Sequence, residues 1–170
     1  MKNILISAVL LLASGTTFAA PQCDGKSIVG PVETIKVHDL GINYKARIDT
    51  GANTTSINAY NIKIDGKTEN DDSKQGMHDN LGHNITFTTE NELGQEVTHT
   101  AKIIKVSKIR NAQGVERRYA VVMDLIWNGQ SKAIPVNLRD RSKLKYKLLI
   151  GRNWLEGDYL VDVTKEDADD

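Results

Sequence analysis

Ile42-Asn43-Tyr44-Lys45-Ala46-Arg47-Ile48-Asp49-Thr50-Gly51-Ala52 is the stretch whose reading decides the fold of this chain. Its first seven residues are β-prone, and Ala46 and Ile48 fall on one face of a strand. The strand delivers one carboxylate, Asp49, and breaks at once into Thr50-Gly51-Ala52. That order suits a reactive acid at a strand tip. Gly51 permits a tight turn and close backbone approach. Thr50 supplies a short, stiff hydroxyl able to bond the backbone. Ala52 keeps the wall beside the acid small. Asp-Thr-Gly is also ordinary turn chemistry, so the stretch is read together with a second one, Leu148-Leu149-Ile150-Gly151-Arg152-Asn153, where an apolar strand ends at a glycine.

Outward from Asp49 the chain reads as strands and turns. Residues 32–37 alternate apolar and polar, 38–41 make a turn, and 54–59 resume β character, with Ile62 and Ile64 continuing the alternation. Asp65-Gly66 is a turn. Residues 67–84 are polar and read as a long surface loop. Strands follow at 85–89, as one long run at 97–109, and at 115–127. Asn128-Gly129 is the strongest hairpin signal, leading into 132–138, where Pro135 marks an edge or a bulge. The charged turn 139–142 reads as solvated surface. One helical turn at 153–156, stopped by Gly157, precedes a last strand at 159–163. Many strands and almost no helix predict an all-β, closed, barrel-like domain over 31–165, after an N-terminal segment 20–30 and before an acidic tail 166–170.

The chain has 170 residues, which fits one domain. Lys plus Arg and Asp plus Glu stand at 22 each, so no global field favours nucleic acid or an anionic membrane. Residues 1–19 read as a signal peptide: Lys2, an apolar stretch 4–12 too short to span a bilayer, and Thr17-Phe18-Ala19 before the cut. An uncleaved anchor is the alternative. The expected destination is across the inner membrane, in the periplasm. Cys23 is the only cysteine, so no intramolecular disulfide is available. It reads as a free or intermolecularly paired thiol.

The two stretches resemble the Asp-Thr-Gly-Ala signature and the apolar-apolar-Gly-Arg-Asn segment of retropepsins, the single-lobe aspartic proteases. The similarity is closer to a bacterial retropepsin-like group of the DUF785 type, historically labelled "ATP-dependent zinc protease". It runs through residues 46–52, Asp140-Arg141-Ser142, Tyr146, 148–152 and Leu160-Val161-Asp162. The resemblance implies a retropepsin fold and an aspartic endopeptidase acting on a peptide or protein substrate, with Asp49 catalytic. It implies that Thr50, Gly51, Ala52, Ile150, Gly151 and Arg152 support the active loop, and that Thr50 hydroxyls lock two loops across a dyad. Where retropepsins pair that arginine with an aspartate, this chain has Asn53. Members of the group are linked with ATP-grasp peptide ligases, which suggests ligated peptides or modified protein tails as substrates.

Hydrolysis by carboxylates needs two acids sharing one proton. The chain has one Asp-Thr-Gly, so the second must come from another copy about a two-fold axis. A homodimer is therefore expected if the protein is active. A non-catalytic peptide-binding module on the same fold is the competing reading. No cofactor is expected: the sequence lacks a Gly-rich phosphate loop and His-Glu-x-x-His. A zinc hydrolase built on His78 and His83 with Asp71, Asp72 and Asp79 is the third reading. Two segments are candidates for the flap over the substrate: the hairpin around 92–95 and the loop 67–84.

Overall fold

The computed structural model describes residues 22–66, 73–111 and 114–165. The leader 1–19 and the tail 166–170 lie outside them. The strands are β1 (Gln22–Cys23), β2 (Lys26–Val29), β3 (Val32–Val37), β4 (Ile42–Ile48), β5 (Ser56–Asn58), β6 (Tyr60–Ile64), β7 (Asn84–Glu90), β8 (Glu96–Lys102), β9 (Lys105–Asn111), β10 (Gly114–Trp127), β11 (Gln130–Arg139), β12 (Leu148–Ile150) and β13 (Tyr159–Val161). Two short helices, α1 (Lys74–Asp79) and α2 (Arg152–Leu155), interrupt them.

Six strands close on themselves in the order β11-β5-β12-β4-β3-β10, because β10 also pairs with β11, and β9 extends β10. This is the closed all-β architecture the alternation predicts. Closure follows from two long partners. β10 pairs β11 from Ala120↔Asn137 to Trp127↔Gln130, across the Asn128-Gly129 turn. Both turn residues have positive φ, 46° and 76°, the geometry that matches strand twist. Pro135 sits where β11 has β10 on one side only, since β5 joins β11 at Asn137–Arg139. The core fills the ring: Tyr44, Ala46, Ile57, Val121, Met123, Leu148 and Ile150 are fully buried.

Three local expectations are corrected. The N-terminal segment 20–30, read as preceding the domain, contains β2, which pairs in parallel with β13 and buries Val29. The polar loop 67–84 holds α1, because the Ser73 hydroxyl accepts the Gly76 N–H at its start and Met77 buries beneath it; residues 67–72 lie outside the described set. The run 97–109 is two strands in different sheets. β8 pairs with β7, then Gly82 donates to the Ile103 carbonyl and Ile103 N–H to that of His83. Ile104 N–H then donates to Ala120, and β9 enters the other sheet.

Candidate active site

β4 and β12 lie parallel at the centre of the ring, pairing Ala46↔Leu148, Arg47↔Leu149 and Ile48↔Ile150. Parallel register brings Asp49 and Gly151 together, 102 residues apart in sequence by subtraction (151 − 49). Asp49 N–H donates to the Ile150 carbonyl at 2.9 Å. The carboxylate turns back on its own loop: Asp49 Oδ1 accepts from Gly51 N at 2.9 Å and Ala52 N at 3.2 Å. The acid is half-buried, with one oxygen pinned by two backbone donors.

Behind the loop the chain leaves no room. A Cβ on Gly151 would meet Thr54 C at 2.7 Å, Ala52 O at 2.9 Å and Thr54 N at 2.9 Å, all backbone atoms. Arg152 N–H donates to the Ala52 carbonyl at 2.8 Å. Asn153 Oδ1 accepts from Thr55 N at 2.8 Å and Thr55 Oγ1 at 3.0 Å, and Asn153 Nδ2 donates to the Pro135 carbonyl at 2.8 Å. Thr55 Oγ1 in turn accepts from Gly151 N at 3.0 Å. One amide side chain thus ties the Asp49 loop, α2 and β11 together. Trp154 backs the turn from inside, stacked on Tyr159 at 3.9 Å between centroids.

The predicted residues Asp49, Thr50, Gly51, Ala52, Ile150, Gly151 and Arg152 therefore meet in one place. Arg152 Nη2 donates to Asn53 Oδ1, so the arginine keeps its contact as a hydrogen bond in place of an ion pair. Thr50 is exposed and lines a groove of about 410 Å³ with Arg152, Leu155, Tyr159 and Leu160. Asp49 and Thr50 line another with Pro31, Val161 and Val163.

On the far side of the loop lies a cavity of about 320 Å³ that sequence reasoning missed. Gly51, Ala52, Asn53 and Thr54 form one wall; Lys108, Arg110, Arg118, Arg139 and Arg141 contribute five cations, and no carboxylate lines it. The turn 139–142 is not solvated surface. Arg141 is 5% exposed, and its N–H donates to Asn58 Oδ1, its Nε to the Tyr146 carbonyl and its Nη1 to Ser56 Oγ. Burial first, then repulsion from Arg139 and Arg118, pulls Arg141 down to about 10, against the attraction of Glu92 and Asp49. The guanidinium is still charged at neutral pH, and the positive potential is balanced only in part. The even spacing of cations on consecutive strands was the available signal, but their convergence depends on ring closure.

Among the described residues, neither flap candidate borders this cavity. The 91–95 turn is tied down: Asn91 Nδ2 donates to the Asn43 carbonyl, and Glu92 accepts from Lys45 N at 3.0 Å and Lys147 N at 2.6 Å. The β9–β10 hairpin, through Lys108, Ile109, Arg110 and Arg118, is the one that borders the cavity beside the Asp49 loop. His78 and His83 are exposed, and Asp71 and Asp72 lie outside the described residues. Among the described residues no three His, Cys, Asp or Glu side chains are grouped to hold a metal ion. Cys23 is exposed.

Comparison with known proteins places these features in a family. Two proteins named "Probable alpha-L-glutamate ligase", from Parasynechococcus marenigrum (strain WH8102) and Shewanella halifaxensis (strain HAW-EB4), are 29% and 27% identical to this chain, over 81% and 82% of it. The chain spans only 28% and 29% of the length of these curated relatives. The crystal structure of a DUF785 protein of unknown function from Legionella pneumophila superposes with a TM-score of 0.64 at 25% identity, covering 83% of this chain and 96% of that one. The RimB-like family, described as "Retropepsin-like aspartic endopeptidase RimB", matches residues 28–169. This chain is a member of that RimB-like, retropepsin-like family.

Proposed function

We propose that this protein is an aspartic endopeptidase that cuts acidic peptide chains, using an Asp49 pair contributed by two copies. The observation that carries this reading is the juxtaposition of a backbone-pinned Asp49 with a cavity bearing five cations and no carboxylate. Two like charges about 3 Å apart do not both ionise cheaply, so an Asp49 pair shares one proton. The ionised member takes a proton from water, which attacks the peptide carbonyl, and the protonated member donates to the carbonyl oxygen. When the resulting diol collapses, the acid that took the water proton gives it to the amide nitrogen, the C–N bond breaks, and the other carboxylate takes a proton from a diol hydroxyl, so the pair again holds one proton. The cavity beside the loop holds substrate carboxylates and so sets which bond reaches the water.

The names of the relatives point the same way. A ligase that joins α-L-glutamate and carries a stretch similar to this chain is consistent with glutamate-rich tails as the polymer, and with a functional link to an ATP-grasp ligase. The reading of residues 1–19 as a signal peptide supports a periplasmic setting for the reaction. Purified mature chain is expected to shorten a glutamate-rich peptide in the presence of EDTA, and Asp49→Asn to lower the rate by ~10³-fold or more. Cleavage that survives Asp49→Asn overturns the proposal. Binding of the peptide without any cleavage by the wild type leaves a binding module instead.

A further inference from the structure

The five cations of the cavity are not equivalent. Lys108 and Arg110 are exposed, and Arg139 is half-exposed. Their attraction acts through solvent and is screened by salt. Arg141 is buried, with Nε and Nη1 already donating to Tyr146 and Ser56. Arg118 differs from all of these. It is 7% exposed, and Glu116 holds its Nη2 at 2.5 Å, while its Nε has no partner among the described residues.

Two further orphans stand beside it. Ser107 is the cross-strand partner of Arg118, and Asn137 is the partner of Ala120, two residues along the same strand. Ser107 Oγ and Asn137 Oδ1 are buried and without a partner among the described residues. Period-two alternation puts Arg118, Ser107 and Asn137 on one face of the sheet, and Arg118 and Asn137 line the cavity. Buried polar atoms in a folded chain are normally paired. Arg118 Nε and Asn137 Oδ1, a donor and an acceptor without partners among the described residues on two side chains that line the cavity, form a receptor for a group offering an acceptor and a donor together, with Ser107 beside Arg118 on the neighbouring strand.

We infer that Arg118 is the specificity-determining residue that selects a side-chain carboxylate over an amide in the bound peptide, with Asn137 completing the floor. The inference rests on the acidic-peptide reading above and deepens it. A guanidinium has donors and no acceptor. A glutamate carboxylate accepts through both oxygens and adds a charge-assisted bond, whereas a glutamine amide presents one neutral acceptor oxygen and an NH₂ that the guanidinium cannot accept. Asn137 Oδ1 accepts an N–H of the same substrate residue. Glu116 acts as a positioning residue: by taking Nη2 it fixes the plane of the guanidinium.

The test uses full-length Asp49→Asn, so that binding is read apart from hydrolysis. Calorimetric titration compares a tetraglutamate with a tetraglutamine peptide, each capped at both ends. The D49N protein is expected to prefer tetraglutamate by roughly tenfold or more, as a site built for one hydrogen-bonding group does. At about 0.5 M salt, where the exposed cations are screened, adding Arg118→Gln is expected to bring the ratio to about one and adding Lys108→Gln to leave it nearly unchanged; at low salt Lys108→Gln weakens tetraglutamate and spares the neutral tetraglutamine. Should Arg118→Gln fail to fold, Ser107→Asp, which supplies Arg118 with an internal carboxylate, is expected to abolish the preference in the same way. A ratio unchanged by either variant overturns the inference, as does the absence of any preference in D49N. If the wild type cleaves nothing yet D49N shows the Arg118-dependent preference, the peptidase reading falls and this inference stands.

Discussion

Gly151 is the residue at which this site tolerates least change. Its missing Cβ is the space occupied by Ala52 and Thr54 backbone, 2.7–2.9 Å from where that carbon would sit. Backbone atoms cannot rotate aside, so Gly151→Ala is expected to destabilise the protein by about 1–3 kcal/mol, read from urea unfolding. It is also expected to cost activity beyond what the stability loss explains, because the displaced atoms belong to the Asp49 loop. An unchanged unfolding midpoint contradicts this packing. Asp49 and Gly151 were legible in the sequence because their chemistry is local: an acid followed by a turn, and a strand closed by a glycine. Arg118 and Arg141 were not. Arg141 is held by Ser56 and Asn58, which reach it only through long-range pairing, and Arg118 joins Asn137 and the Asp49 loop around one cavity only once the ring closes.

At the scale of elements, the parallel pair β4–β12 carries Asp49 and the glycine turn, and Asn153 locks that pair to β11. Asn153→Ala removes the acceptor for two Thr55 donors and the donor to Pro135. About 1–3 kcal/mol of stability is expected to be lost, with kcat falling more than KM rises, since the substrate cavity is untouched. A KM change alone points to a role in binding. Strand propensity recovered most of the elements, including the 128–129 hairpin and the strand into Asp49. It failed at 97–109 because β-prone residues run on without a break, and only the buried Ile103, bonded to residues 82 and 83, redirects the chain. It failed at α1 because a six-residue helix capped by Ser73 and anchored by Met77 has too short a period to stand out.

For the whole molecule, charge balance concealed charge sorting: 22 cations and 22 anions cancel in sequence, yet five cations gather at one cavity. Substrate attraction of that origin is screened, so KM for an acidic peptide is expected to rise several-fold between low salt and about 0.5 M salt, with kcat nearly constant. A salt-independent KM contradicts it. Stability carries its own pH signature. Tyr44 is fully buried, with its hydroxyl on Thr89 at 2.8 Å, and burial pushes the phenol up to about 12 from the usual 10. The folded state therefore holds this proton more tightly than the unfolded state. Its contribution is full below pH ~10 and is lost as pH rises toward ~12, about 2–3 kcal/mol in all. Tyr44→Phe is expected to flatten that alkaline decline in a thermal-melt series and to cost about 1 kcal/mol at neutral pH for the lost hydrogen bond.

Each copy has a single Asp49, so the proposed dyad makes a quantitative demand on activity. Wild type and Asp49→Asn, co-refolded at fixed total concentration, are to be assayed on a glutamate-rich peptide as their ratio is varied. If two copies build one site, activity follows the square of the wild-type fraction, and an equal mixture retains about a quarter of the full rate. If the rate falls in direct proportion, to about one half, each chain works alone and the Asp49 pair is wrong.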